Sequence, residues 1–203
     1  AACDRSWNFI GNPYPCFYST KYLDPAAPFV VYDRDKQRYQ VYSPIDDDYV
    51  LHPFEGFFIQ KPLGYDEIDF PHYGRFQTIA EYEAWKKDLN AAARRRVPTR
   101  ATNPERKVHN ISLGDFDRCR LVANPDASHD YEPGCDATKF PQFDGTHTLL
   151  YIIGADDTRY AISEQPFAEG DTLTLGMVIA EDGEYTLAAD STLTLIDHET
   201  GIT

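Results

Sequence analysis

Long hydrophobic runs are missing from this chain: no apolar stretch nears the ~18 residues of a membrane-spanning helix, so no membrane insertion is expected. Cysteine is scarce, with four residues, and no two stand as C-x-x-C, which argues against a zinc ribbon or a thioredoxin-like redox site. Catalytic signatures are absent as well. There is no G-x-S-x-G elbow, no H-E-x-x-H pair among the 6 histidines and no glycine-rich phosphate loop. Positive charge is in deficit: 19 Lys and Arg face 33 Asp and Glu, for a net charge of −14 and a pI near 4.7. Such a surface repels both a nucleic-acid backbone and an anionic membrane, so no nucleic acid is expected as partner. The start, Ala1-Ala2-Cys3, carries no initiator methionine, basic region or apolar leader, and a processed or excised chain is expected.

What remains is an ordinary globular composition, 42% hydrophobic and 26% charged, in 203 residues, enough for one large or two small domains. Aromatics are abundant (14 Tyr, 12 Phe, 2 Trp) against a single Met. Tyrosine suits a strand, because its ring covers the pleated surface while its hydroxyl reaches water. The charge is uneven. From Arg75 to Lys107 nine basic residues meet four acidic ones, so this basic segment is expected to lie across an acidic body and be held by it. The cysteines allow three connectivities. Local pairing, Cys3–Cys16 and Cys119–Cys135, closes the shortest loops and would imply an oxidising compartment; buried thiols with a packing role are the alternative.

Residues 1–75 read as a first β half. Trp7 to Gly11 is a short strand stopped by Asn12-Pro13-Tyr14-Pro15. Phe29 to Tyr32 and Arg38 to Tyr42 read as a hairpin, and Tyr49 to Leu51, Gly56 to Lys61 and Glu67 to Phe70 as further strands. Residues 76–106 read as helix and linker. Thr78 is the N-cap, Glu81 completes a capping box, and Tyr82, Trp85, Leu89 and Ala92 share a face. Residues 107–203 form a second β half. Its strands are Lys107–Leu113, Arg118–Ala123, Thr148–Ile153, Arg159–Ile162, Asp171–Ile179, Glu184–Ala188 and Leu193–Asp197. Many short strands without βαβ alternation predict an all-β, antiparallel β-sandwich, jelly-roll-like, with one inserted helix. Whether the halves share one core stays open at this level. The chain stops just after a turn, and a longer protein is expected.

Trp7-Asn8-Phe9-Ile10-Gly11-Asn12-Pro13-Tyr14-Pro15 resembles the W-N-x-I-G-N-P-Y-P element of large secreted and surface proteins of Bacteroidota. Phe54 to Pro62 is similar to their P-x-x-G-F-F-V-x-K strand, and Tyr131 to Phe140 to their Y-D-x-G-x-D-A-x-K segment. Arg159-Tyr160-Ala161-Ile162, Leu175-Gly176 and Gly183 to Leu187 follow in the same order. The resemblance spans nearly the whole chain, apart from the helix and Arg94-Arg95-Arg96. It implies a C-terminal-type β-sandwich module, extracellular or on the bacterial cell surface, in proteins that often end in a type IX secretion sorting domain. The implied role is structural, adhesive or interactive rather than catalytic. The implied partners are neighbouring domains of a longer chain or surface glycans and proteins.

Several residue groups carry candidate chemistry. Asp126, Asp130, Glu132 and Asp136 crowd one loop, the oxygen-rich composition of a Ca²⁺ site; turn-shaping hydrogen bonds are the plainer explanation, and no other cofactor is expected. Asp46-Asp47-Asp48 reads as a solvated turn. Glu55, between Phe54 and Gly56-Phe57-Phe58, must be paired or protonated if buried. Trp7, Tyr14, Tyr18, Tyr22, Tyr73 and Tyr131 could build an aromatic platform for a sugar, the property of a carbohydrate-binding module; core packing is the alternative. Asp171-Thr172-Leu173 and Asp190-Ser191-Thr192 match the D-[S/T]-x pattern of O-glycosylation in Bacteroidota.

Overall fold

The computed structural model describes residues 7–62, 64–92, 103–142 and 147–197, with the side chains of 88–92 left aside. The chain is all-β and sandwich-like, with one α-helix among the described residues. Strands β1 (Trp7–Gly11), β3 (Phe29–Asp33), β4 (Arg38–Tyr42) and β6 (Gly56–Gln60) form a four-stranded sheet in the order β1-β6-β3-β4. The expected hairpin is β3–β4, in register Val30↔Val41 and Tyr32↔Tyr39. Its turn is closed by Asp33, whose Oδ1 accepts the N–H groups of Asp35 and Lys36 at 3.1 Å each. The Asn-Pro stop after β1 has a specific use. Buried Asn12 donates through Nδ2 to the carbonyls of Cys16 and His52, both at 2.9 Å, so one amide ties three chain segments.

A small sheet sits beside this one, with β2 (Phe17–Ser19) between β5 (Val50–Leu51) and β7 (Arg75–Phe76). Helix α1 (Ile79–Ala92) follows β7. Its N-terminus is capped as the spacing predicts: Thr78 Oγ1 accepts from Glu81 N at 3.1 Å, and Glu81 Oε2 accepts from Gln77 N at 2.7 Å. Tyr82 is buried and Trp85 half-buried, and both pack on Phe76.

The second half builds a curled seven-stranded sheet. Its strands are β8 (Lys107–Leu113), β9 (Asp117–Ala123), β10 (Ala137–Thr138), β11 (Leu149–Ile153), β12 (Arg159–Gln165), β13 (Leu175–Val178) and β14 (Leu187–Ala189). They run in the order β13-β11-β12-β9-β8-β14, with β10 on β12. One pair, β12 with β9, is parallel, from Ile162↔Arg120 to Gln165↔Ala123. A parallel neighbour needs a long crossover, supplied here by residues 124–158.

The two halves meet in a common apolar cluster. Val30 and Val41 from the first sheet pack with Val122, Ala137, Phe140, Ala161 and Ile162 from the second. Phe140 is the hub, with its ring 5.3 Å from Trp7, 4.8 Å from Tyr39 and 4.9 Å from Phe58 (centroid distances). A second cluster around Tyr18, Phe29 and Phe57 fills the first half, and a third around Leu121, Leu150 and Ile152 fills the second.

Several expectations are corrected. Among the described residues no disulfide forms, and Cys3 lies outside them. Cys119 is a free thiol facing the second-half core, where burial pushes it up to about 12. Cys135, its expected partner, sits in the turn before β10, and Cys119 packs with Leu121, Leu150 and Ile152 instead of pairing. Cys16 is a buried thiol as well. The strand expected over Asp171–Ile179 shortens to Leu175–Val178, and Leu193–Asp197 is not a strand. Glu67–Phe70 makes only the isolated bridge Asp24↔Asp69.

Candidate functional site

The densest concentration of ionisable groups lies where the two halves meet, and Asp46-Asp47-Asp48 organises it. Asp47 Oδ2 accepts from Ser43 N, and Asp47 N donates to Ser43 O, both at 2.7 Å, which tightens the turn after β4. The three carboxylates then diverge, as neighbours on a turn must. Asp46 takes a bidentate pair from Arg106, Nη1–Oδ1 at 2.7 Å and Nη2–Oδ2 at 2.8 Å. Asp47 takes another from Arg120, at 2.9 and 2.8 Å. Asp48 accepts the Tyr82 hydroxyl and pairs with Lys86 Nζ at 2.5 Å, which fastens helix α1. The solvated turn expected from sequence is therefore a three-way anchor.

Behind it the network continues inward. Arg106 Nη2 also reaches Glu164 Oε2 at 3.4 Å, and Glu164 Oε1 accepts from Asn124 Nδ2 at 2.6 Å. Arg120 Nε donates to Asn110 Oδ1 at 2.9 Å. Burial alone would lower the Arg120 guanidinium; the hydrogen bonds and charge of Asp47 outweigh it and leave the group raised, so it stays charged. Side-chain exposures run from 1% at Glu164 to 15% at Asp47, and Arg106 sits at 6%. A second pair, Lys139 Nζ–Asp117 Oδ2 at 2.6 Å, is equally enclosed; Asp117 also accepts from Leu150 N at 2.7 Å.

Such an arrangement positions strands and offers no open acid or base. A catalytic carboxylate needs a face turned to substrate, and these face arginine, lysine or asparagine. A concavity of about 360 Å³ lies elsewhere, open to solvent and lined by Asp24, Pro25, Gly64, Tyr65, Asp66, Glu67 and Asp69. Its lining charges are all acidic, and one of them, Asp66, is paired with Lys61 at 3.3 Å.

The proposed calcium ligands do not converge. Among the described residues no group of three His, Cys, Asp or Glu is placed to hold a metal. Asp126 Oδ2 accepts from Asn103 at 2.7 Å, and Asp130 N caps on Ser128 at 3.0 Å. Asp136 turns inward, accepting Glu132 N at 2.6 Å and Glu164 N at 2.7 Å. The oxygen-rich loop is shaped by hydrogen bonds that draw the Asp126 and Asp136 carboxylates to different donors.

Asp136 has a consequence for stability. Burial pushes its carboxyl up to about 7, against the pull of the two backbone N–H groups; the charges of Glu164 and Glu132 add to the rise. The folded chain therefore keeps this proton to about pH 7, while the unfolded chain releases it near pH ~4. The stability this group contributes is full below that range and is lost as pH rises through about 7, with a slope of about 1.4 kcal/mol per pH unit for one proton. Carboxyl ¹³C NMR of Asp136 is expected to show a midpoint near neutrality. A midpoint in the ordinary carboxylate range would contradict this.

The six aromatic candidates do not assemble into an exposed platform. Tyr18 is fully buried, and burial, chiefly, pushes its hydroxyl up. Tyr14 stacks on Tyr18 at 5.9 Å, donates to Phe70 O at 2.6 Å and lies under the Arg75 guanidinium. Tyr22 packs edge-on to Tyr73 at 5.1 Å, and only Tyr73 of this group is more than half exposed. Trp7 belongs to the inter-sheet core and Tyr131 stacks on Tyr160 in the second half. Glu55 accepts from Tyr49 OH at 3.0 Å and His52 N at 2.7 Å, closing a turn. Of the two triplets, Ser191 Oγ meets His109 Nδ1 at 2.7 Å, whereas Thr172 is exposed.

The sequence places Arg106 in a basic segment held by acidic residues without naming Asp46 as its partner, and it does not single out Arg120, Asn124 or Glu164. A signal existed in the strand pattern. In β9 both parities are apolar, Cys119 and Leu121 on one face and Val122 on the other, so Arg120, which shares the parity of Val122, had to be buried and paired. Glu164 stands in the same relation to Ile162 in β12. No protein-family model, curated protein or solved structure matches the chain.

Proposed function

We propose that this chain is a non-catalytic β-sandwich module of a bacterial surface or secreted protein, with a structural, adhesive or interaction role. The observation that carries this reading is the commitment of Asp46, Asp47, Arg106, Arg120 and Glu164 to one another across the junction of the two halves. These charges serve as fasteners between the halves rather than facing an open cleft. The placement outside the cell rests on the resemblance of Trp7 to Pro15 and Phe54 to Pro62 to Bacteroidota surface modules. A sugar-binding role has less support, because the rings that would stack on a sugar are mostly engaged in the core.

The test is turnover. The chain, incubated with a panel of polysaccharides and denatured proteins, is expected to release no product above a heat-treated control. Release abolished by a single Glu→Gln or Asp→Asn change would overturn the reading.

A further inference from the structure

We propose that the free edge of β13 receives an extended segment of another protein, apolar in its centre and carrying Lys or Arg at both ends, which adds to the seven-stranded sheet as a further strand. This rests on the interaction-module reading and names its contact surface.

The ladder phase shows which backbone groups the edge offers. Ile153 N donates to Thr174 O at 2.9 Å, which makes residues 153 and 174 a hydrogen-bonded pair of the β11–β13 ladder. Counting in steps of two, Gly176 and Val178 point their N–H and C=O into that ladder, opposite Tyr151 and Leu149. Ala180 N follows the same parity, donating inward to Thr148 Oγ1 at 3.1 Å. Leu175, Met177 and Ile179 therefore direct their N–H and C=O outward, on the side where the sheet ends. The strand is held rigidly from behind, since its partners Leu150 and Ile152 are buried. Gly176 admits the Tyr151 ring against it, in space that a Cβ would fill.

The side chains suit a strand partner. Met177, Val178 and Ile179 are exposed at 53%, 38% and 43%, large apolar groups on an open edge. Natural edges are blunted by Lys, by Pro or by a bulge. From Thr172 to Ala180 the sequence has no charge and no proline, so nothing here discourages pairing.

Charge decides the occupant. Residues 160–203 contain no Lys or Arg at all. The apolar edge is bracketed by exposed acids, Glu169 and Asp171 before it and Glu181, Asp182 and Glu184 after it. A second copy would bring the same acids to both ends and be repelled, in either strand direction. A segment with basic ends gains at both.

The probe is a fluorescent peptide, Lys-Lys-Thr-Val-Thr-Val-Thr-Lys-Lys, titrated with the whole chain. Micromolar binding is expected at low salt, falling at least about tenfold between about 0.01 M and about 1 M salt, as the screening length drops from about 30 Å to about 3 Å. A peptide with Glu in place of every Lys is expected not to bind. Met177→Pro removes an outward N–H and leaves the inner ladder donors in place, so binding is expected to fall about tenfold with the circular dichroism spectrum kept. Glu181→Lys with Asp182→Lys leaves the backbone alone and is expected to weaken binding as well. Absence of binding at low salt, binding indifferent to both variants, or a concentration-dependent dimer lost in Met177→Pro would each overturn the proposal. None of these touches the non-catalytic reading, which fails only by turnover.

Discussion

Arg120→Ala is expected to destabilise the chain by about 3–5 kcal/mol, the usual effect of removing one partner from a buried ion pair. Arg120 is one of the largest polar side chains inside the molecule. Its loss strands Asp47, whose carboxylate is 15% exposed and loses both guanidinium contacts. Asn110 loses the donor on its Oδ1 at the same time. Most of the effect is the uncompensated charge rather than a missing attraction, so a paired replacement separates the two. Arg120→Met with Asp47→Asn leaves neither charge behind, keeps a side-chain oxygen for the Ser43 N–H, and is expected to recover most of the stability. Chemical denaturation of the wild type, the single variant and the double variant checks this. A single variant within about 0.5 kcal/mol of wild type, the range of ordinary surface substitutions, would contradict it.

Phe140→Ala is the second large effect, with an expected cost of about 3–5 kcal/mol. The ring is 2% exposed and stands between the sheets, in contact with Trp7, Tyr39 and Phe58. Those three neighbours come from β1, β4 and β6 of the first half, while Phe140 follows β10 of the second. The cavity therefore opens at the joint. For a domain of this size the loss corresponds to a Tm lower by about 6–20 °C, at about 2–4 °C per kcal/mol. Near-ultraviolet circular dichroism of Trp7 is expected to change with it. A small loss would mean that the first-half ring cluster holds without the second half.

The sequence made the local elements of this fold legible where a periodic pattern met a stop signal. Residues 29–32 are an apolar run, residues 38–42 alternate, Asp33 marks the turn between them, and together they form the β3–β4 hairpin. Thr78 and Glu81 start the helix. Pattern failed where strand formation depends on a neighbour. Leu193-Thr194-Leu195 alternates as a strand would, yet Leu193, Leu195 and Ile196 remain exposed and the segment joins no sheet. Nothing local announces the parallel β9–β12 pair either, since residues 124–158 separate the two strands.

The site was less legible than the fold, for a related reason. Asp46, Asp47 and Asp48 are adjacent and polar, the mark of a wet turn, yet Asp46 and Asp47 are enclosed by Arg106 and Arg120, more than 50 residues away, and Asp48 by Tyr82 and Lys86 of the helix. Conversely, Tyr14, Tyr18 and Tyr22 carry the composition of a binding platform, but their rings are core material on a short strand and turn. Amphipathic residues announce their chemistry without announcing their direction. Parity within β9 and β12 is the one cue that places Arg120 and Glu164 inside.

Native-state hydrogen exchange, read at the same time in both halves, tests most directly whether the ionisable groups serve to hold one sandwich together. The amides of β3 and β4 and those of β9 and β12 are predicted to open with one free energy, and Arg120→Ala is predicted to lower it equally in all four strands. Protection lost in one half while the other keeps its wild-type value would show two independent units, and the scaffold described here would not stand.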